Sequence, residues 1–493
     1  MIETFSTWLF GTACVLLILN EIYFSLLQYL SISSIYKIAG DFLNHRYYRP
    51  WAAKPIVIPA TREMMTELSE ATVLSQRAVY ADMFGFRHTL NNLDHNEINT
   101  RKSRLFSRVL QVRVPAQFRE LYPCLYRNLK AFLDMEIQAG GTLALALSTV
   151  SNLGVEQEGI ASAGLASLSE RLLSRLMGVW FFGENITSDP HFCDALLSHP
   201  RQIKACAAAF QLTPKWLASP VHTIITRRGK AMHLIQNTLI DLLTARLETW
   251  DEPPETKKLT LLYHLFELSE PNRDYWTPET LSQSILGLWL AASHQPWVNL
   301  HAILLELCVR PEWQDVLCKE ALEHQDDLAS KIDQLPLLDS FMRETARFNS
   351  LDKVAIRRKA LADYTFSLGS PVVRAGSILC VSSYDQTRND KIYPDPEQFD
   401  GMRFLNGRCK DKSSRFADVS ENHLIWGYGS LACPGRHASS FILKMTIVHL
   451  VTSYTMRLAD VNAPRWWSWE DFTIPYASTR VLFSKRETSG LPC

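Results

Sequence analysis

The sequence predicts a mainly α-helical protein with a small β portion, preceded by one membrane-spanning helix. Three observations point there. Apolar residues dominate two long stretches, from about Thr280 to Cys308 and from Phe441 to Val451, the length of buried helices rather than strands. Short strand-like runs around turns occupy Asp363–Gly369 and Gly376–Ser382, and Phe472 to Phe483 is again extended in pattern. Between Phe5 and Leu30 the only charged residue is Glu21.

The elements follow in chain order. Residues 5–30 are long enough to cross a bilayer, which takes about 20 apolar residues. No small-residue cleavage site clearly follows, so the segment reads as an anchor rather than a removed signal peptide. Lys37, Arg46, Arg49 and Lys54 come after it and no basic residue before it, which leaves the bulk of the chain cytosolic. Glu21 is costly in lipid unless it lies near an interface, and an amphipathic or re-entrant segment is the alternative. Pro55 and Pro59 bracket Ile56-Val57-Ile58, a short strand. From about 62 to 360 the pattern is mainly helical, with polar loops near 186–192 and 251–258. The chain divides into an anchor, 1–35, and one large domain, 36–493.

Composition narrows the function. A length of 493 residues with 47% hydrophobic content supports a sizeable core. The 51 basic and 51 acidic residues cancel, so there is no electrostatic case for nucleic acid. Ten cysteines, at 14, 124, 193, 206, 308, 318, 380, 409, 433 and 493, are scattered without a CxxC pair. They read as mostly reduced thiols facing the cytosol.

One cysteine stands apart. It lies in Trp426-Gly427-Tyr428-Gly429-Ser430-Leu431-Ala432-Cys433-Pro434-Gly435-Arg436, just ahead of the second apolar stretch. A helix beginning after Pro434 turns backbone N–H groups and the positive end of its dipole toward Cys433, which favours thiolate. The glycines let the backbone approach something flat and bulky. A thiolate so placed is a good axial ligand for haem iron, favouring O–O cleavage. The plainer alternative is a buried cysteine in the core.

In these residues the chain resembles the cytochrome P-450 family, whose loop runs Phe-Gly-x-Gly-x-(Arg/His)-x-Cys-x-Gly. Gly427, Gly429, Cys433 and Gly435 match in register; Trp426 replaces the Phe, and Leu431 replaces the basic residue that binds a haem propionate. Glu344-Thr345-Ala346-Arg347 resembles the family's Glu-x-x-Arg helix; spacing of three lets its charges pair. Pro396-Glu397-Gln398-Phe399-Asp400-Gly401-Met402-Arg403 resembles its Pro-x-x-Phe-x-x-x-Arg segment. The resemblance implies a buried structural triad of Glu344, Arg347 and Arg403. It also implies a helix-rich fold with a small β domain, haem b held by Cys433, and Arg358 and Arg436 as propionate-binding candidates. Arg104, Arg108 and Arg113 stand where the family has a Trp-x-x-x-Arg helix, and the sequence does not choose among them.

The long apolar helix departs from the family. Where the family carries (Ala/Gly)-Gly-x-(Asp/Glu)-Thr-(Thr/Ser), whose acid and hydroxyl relay protons on the oxygen side, this chain has Ala291-Ala292-Ser293-His294-Gln295-Pro296. His294 takes the place of the acid and Gln295 that of the threonine. Histidine can relay a proton near neutral pH, and an amide can hold a water; His294 as a hydrogen-bonded core histidine is the equal alternative. Pro296 is expected to kink the helix.

Residues 79–90 and 399–404 look most like fungal secondary-metabolism members. The resemblance implies a monooxygenase in the endoplasmic-reticulum membrane, held to lipid by its N-terminal helix. No GxGxxG follows a strand, so electrons are expected from a separate NADPH-dependent flavoprotein reductase. An apolar small-molecule substrate of terpenoid, polyketide or alkaloid type is expected against residues such as Phe84, Phe86, Leu90, Leu286, Trp289, Leu290, Val354, Ile356 and Tyr476. Two alternatives remain: a non-hydroxylating oxidation (ring expansion, desaturation, coupling or rearrangement) and a non-enzymatic membrane helical protein.

Overall fold

A computed structural model of the chain describes residues 55–90, 106–148, 160–248 and 259–486, apart from residues 214, 325, 326, 368, 370, 406, 412 and 470. The expected anchor at 5–30, Arg104 and the 251–258 loop lie outside the described residues. Among the described residues no helix is long and apolar enough to cross a membrane.

The helices that matter here are α1 (Arg62–Glu70), α2 (Gln76–Phe84), α3 (Phe118–Ser148), α4 (Leu165–Phe182), α5 (Pro190–Leu212), α6 (Lys230–Glu248), α7 (Leu261–Ser269), α8 (Pro278–Val309), α9 (Glu312–Leu322), α10 (Pro336–Asn349) and α11 (Arg436–Ser453). The first long apolar stretch is α8. Thr277 caps it by accepting a hydrogen bond from the Thr280 amide at 3.3 Å, and Pro278 occupies its first turn, where no amide is needed. Every residue from Pro296 to Cys308 is buried, as an apolar-all-round helix requires. Helices α4, α5, α6, α10 and α11 pack around it. The second stretch is α11, buried from Ser440 to Val451.

Among the described residues four small sheets flank the helices. The largest has the order β1-β7-β4-β2, made of Ile56–Ile58, Ile378–Ser382, Val354–Ala360 and Leu74–Ser75. Here β1 runs parallel to β7, while β4 is antiparallel to β7 and β2. Strands β3 (Ile160–Gly164), β11 (Arg480–Lys485) and β8 (Tyr454–Leu458) form a second sheet in that order. Hairpins pair β5 (Tyr364–Thr365) with β6 (Val372–Val373) and β9 (Trp466–Trp469) with β10 (Phe472–Pro475).

The mainly helical fold with small sheets matches the expectation, with local differences. The loop expected at 186–192 is interrupted: Asp189 caps α5 by accepting from the His191 amide at 2.9 Å, and Pro190 opens the helix. β3 and β4 fall inside the stretch expected to be helical. They are short, and their pairing partners lie far along the chain, so local periodicity gives no sign of them. A bulge in β4 puts Ile356 at φ 52°, a left-handed conformation rare for a β-branched residue.

The α10 helix organises the approach to Cys433. Both carboxylate oxygens of Glu344 are engaged: Arg347 donates at 2.6 and 2.8 Å, and Arg403 Nε lies 3.0 Å from each. All three side chains are buried. The remaining guanidinium hydrogens meet the carbonyls of Thr387, Pro394, Asp395, Pro396 and Gln398, and the Asp400 amide donates to Glu344. The sequence did not reveal two further buried pairs. Arg343 meets Asp411 at 2.9 Å, and Lys444 of α11 meets Asp339 at 2.8 Å.

Glu344→Ala would leave two guanidiniums buried without their carboxylate. A loss of about 3–5 kcal/mol is expected, enough to remove most folded protein. Denaturant unfolding checks this, and a midpoint within experimental error of wild type would contradict it.

Candidate functional site

The Cys433 loop is built from two tight turns. Leu424–Trp426 and Gly429–Leu431 each form one turn of 3₁₀ helix. Between them Gly427 adopts φ 77°, ψ −159°, a conformation that glycine accepts without cost. The Cys433 amide donates to the Trp426 carbonyl at 2.7 Å and closes the loop. Helix α1 packs against the second turn, where a Cβ on Gly429 would stand 3.3 Å from that of Ser69. Trp426 is buried, but its indole N–H points to the Phe416 carbonyl at 2.6 Å. A Cβ on Gly435, two residues after Cys433, would meet nothing within 4 Å, so there is open space at that position.

Helix α11 starts at Arg436, as the sequence predicts, and the Gly435 and Arg436 amides hydrogen-bond to the Cys433 sulfur. The expected thiolate does not follow from this alone. Burial pushes the Cys433 thiol up by more than those amides and the Arg436 charge pull it down. A bound metal cation is what deprotonates a thiol held this way. Arg436 itself folds back, donating to the Cys433 carbonyl at 3.0 Å.

The cations expected near the loop separate by their partners. Arg113 pairs with Glu267 at 3.1 Å and Arg108 is exposed. Arg357 pairs with Asp352 and reaches Asp471 at 3.8 Å. Arg358 is 1% exposed, yet it meets no carboxylate among the described residues. One nitrogen donates to the Arg357 carbonyl at 2.8 Å, and Nε has no partner. Burial lowers its pKa to about 10. A buried guanidinium in this position calls for an anion.

His294 and Gln295 lie on different sides of α8. Between Leu281 and Val309 only Ala291 and Gln295 are exposed, four residues apart on one face. His294 instead turns toward α5. Its Nδ1 is 3.5 Å from Lys204 Nζ, and its ring lies against Trp297. Burial, then the Lys204 charge, lowers its pKa to about 3. An imidazole in this setting is neutral near pH 7. α8 runs unbroken through Pro296, and the Gln295 carbonyl accepts from Asn299 at 2.9 Å.

Several expected pocket residues belong to the core. Trp289 is fully buried between Phe181 and Phe182 and donates to the Leu196 carbonyl at 2.9 Å. Leu286 and Leu90 are buried in the same core, and Ile356 packs with Ile58 and Leu68. Phe84, Phe86 and Leu290 are only partly buried.

A thiol in a glycine-rich loop, open space at Gly435 and a buried guanidinium without a carboxylate are the features a haem would use. The comparisons agree with that reading. A family model described as Cytochrome P450 matches residues 173–482. The chain is similar to cytochrome P450 monooxygenase terQ of Tolypocladium album, 26% identical over 333 residues, 66% of this chain and 59% of that one. It is similar to cytochrome P450 monooxygenase ltmQ of Epichloe festucae var. lolii, 28% identical over 327 residues, 65% of this chain and 60% of that one. Pyrichalasin C-7 hydroxylase of Pyricularia grisea is 31% identical over 212 residues, 41% of this chain and 42% of that one. The aligned chain thus spans about three fifths of the length of the first two relatives. The solved structure of retinoic acid bound cyanobacterial CYP120A1 shares the fold, with a TM-score of 0.59 at 16% identity over 82% of each chain. Since the matching model covers well over half of the sequence, the chain belongs to the cytochrome P450 family.

Proposed function

We propose that this protein is a haem-thiolate monooxygenase that oxidises an apolar secondary metabolite with dioxygen. The observation that carries the reading is the Cys433 loop, with its open side at Gly435 and the unpaired Arg358. Cys433 would hold the iron of haem b, and Arg358 would pair with a propionate in place of the basic residue that Leu431 replaces. Bound there, the haem supplies activation of dioxygen, which no side chain can perform. Trp426, Gly427, Gly429 and Gly435 shape the loop, and the Glu344–Arg347–Arg403 network holds the segment leading to it. Gln295, exposed on α8, can hold a water through its amide. Electrons would come from a separate NADPH-dependent flavoprotein reductase. The apolar segment at 5–30 would anchor the protein in the endoplasmic-reticulum membrane with its catalytic domain cytosolic.

Gln295 also favours a second reading, in which the oxidation ends in ring expansion, desaturation, coupling or rearrangement rather than hydroxylation. The family's hydroxyl at that position is a proton donor, and an amide does not ionise. Isotope-labelled dioxygen separates the two: hydroxylation puts one labelled oxygen in the product, desaturation or coupling none.

The reduced protein with carbon monoxide should show the absorption band of a thiolate-ligated haem, and Cys433→Ala should lose it. Retention of the band in that variant would assign the ligand to another cysteine. Arg358→Met should act in opposite directions on two measurements. Thermal stability of the haem-free protein should rise, because an unpaired buried charge is gone. Haem retention against a competing apo-globin should fall by roughly ten- to a hundredfold, the worth of a charge-assisted hydrogen bond. Unchanged retention would take Arg358 out of the haem site.

A further inference from the structure

Two consecutive arginines of β4 are both buried, and they end in opposite circumstances. Arg357 grips Asp352 through both arms of its fork, at 2.5 and 2.8 Å, and reaches Asp471 at 3.8 Å. Its guanidinium also lies over the Phe472 ring, 4.8 Å from the centroid. Arg358 donates to the Arg357 carbonyl at 2.8 Å and meets no carboxylate among the described residues. The strand register decides which arginine is which. β4 pairs with β7 so that Ala355 stands opposite Val381 and Arg358 opposite Leu379. Ile356 and Arg357 therefore share one partner residue, Cys380, and this is the bulge. In a regular ladder Arg357 would stand opposite Leu379. Moving the bulge by one residue exchanges the two arginines. Both positions carry the same side chain, so the strand by itself has no reason to prefer either register.

The preference comes from outside the strand. The tip of the β9–β10 hairpin is stitched to the residues just ahead of β4. The Thr473 amide donates to the Leu351 carbonyl at 3.0 Å, the Lys353 amide to the Asp471 carbonyl at 2.8 Å, and the Thr473 hydroxyl to the Ser350 carbonyl at 3.1 Å. Asp352 forms an isolated bridge with Phe472, and its carbonyl accepts from the Ser383 hydroxyl at 2.6 Å. Asp352 and Asp471 are thus set close together without help from Arg357, near enough for each carboxylate to act on the other's neighbourhood. Burial opposes the Arg357 charge, but Asp352 and Asp471 outweigh it and its pKa is raised. The same burial takes Arg358 down to about 10. Tyr80 of α2, which packs on β4, acts on both arginines in the same direction and does not distinguish them.

We propose that Asp352 is a positioning residue for the haem. With Asp471 it clasps Arg357, pins the bulge at Ile356 and so leaves Arg358 as the free guanidinium. This rests on the haem-thiolate reading above, in which Arg358 pairs with a propionate. The clasp also explains a local strain. Ile356 is held at φ 52°, which a β-branched residue adopts only where its surroundings fix it. The side chain of Ile356 packs with Ile58 and Leu68 on one side, and the grip on Arg357 holds the next residue.

A double-mutant cycle on the full haem-containing chain tests this, with haem retention against a competing apo-globin as the readout. Arg358→Met is measured first; unchanged retention overturns the reading on which the clasp depends. Given a loss there, Asp352→Asn should lower retention roughly tenfold in the wild-type background, the worth of one charge-assisted hydrogen bond. In the Arg358→Met background it should change retention by less than about twofold, the scatter expected of independent sites. A role in folding alone would lower retention by the same factor in both backgrounds. That result, or no loss in either, overturns the proposal. Arg357→Lys should behave as Asp352→Asn does, because an ammonium keeps the charge but loses the two-armed grip. Wild-type retention in Arg357→Lys would show that the grip fixes nothing. If Asp352→Asn gives no folded chain, Asp471→Asn replaces it in the same cycle. Its carboxylate is 3.8 Å from Arg357, so a smaller loss of about threefold is expected, again confined to the background that keeps Arg358. An equal loss in both backgrounds counts against the clasp here too.

Discussion

The Glu344 carboxylate, shared between two buried guanidiniums, is the interaction on which the rest of the site depends. One carboxylate and two arginines bury a net positive charge, which the interior does not tolerate by itself. The balance comes from backbone carbonyls between Thr387 and Gln398, each aimed at a guanidinium hydrogen. A segment with little secondary structure is thereby fixed to α10 at many points. Its neighbours on the same helix extend the effect. Arg343 fixes residues 411–420 through Asp411, Ser420 and the Arg415 and Asp418 carbonyls. Asp339 accepts from the Phe416 amide and from Lys444 of α11. Phe416 in turn receives the Trp426 indole hydrogen. Through this series a polar face of α10 sets the position of the chain on both sides of Cys433.

This arrangement explains how much the sequence revealed. Glu344 and Arg347 were legible because their spacing is local, and Arg403, 59 residues on from Glu344, only through the resemblance of its segment to the family's. The helices α8 and α11 were legible because each buries nearly its whole circumference, which leaves a long apolar run. The Arg343–Asp411 and Lys444–Asp339 pairs were not. Each joins positions 68 and 105 residues apart, with nothing local to mark them. β4 was missed because its seven residues include three basic side chains, an unusual content for a buried strand. They fit because the bulge at Ile356 sends Arg357 to Asp352 while Arg358 is buried without a carboxylate.

The middle of α8 shows a different limit of sequence reading. Adjacent residues on a helix point about 100° apart, so two chemical groups side by side in the sequence need not share a space. In the sequence His294 and Gln295 read as one altered relay. In the structure only Gln295 lies on the exposed face, while His294 turns to Lys204. The partner that gives His294 its meaning is 90 residues away on α5. A contact made between two helices in this way leaves no mark on the local pattern of either.

Cys433 and Arg358 obey a single electrostatic rule. Burial pushes the Cys433 thiol up and the Arg358 guanidinium down, because the interior disfavours the charged form of each, thiolate and guanidinium. Neither group has the partner that would reverse this among the described residues, whereas neighbouring Arg357 has two carboxylates. A thiolate needs a cation beside it and a guanidinium needs an anion. One ligand that carries a metal cation at its centre and carboxylates at its rim answers both needs at once. The two groups therefore favour the same occupant for opposite reasons, and a ligand with only one of those charges would leave the other group unsatisfied. That complementarity adds a physical reason to the match between the Cys433 loop and the family motif.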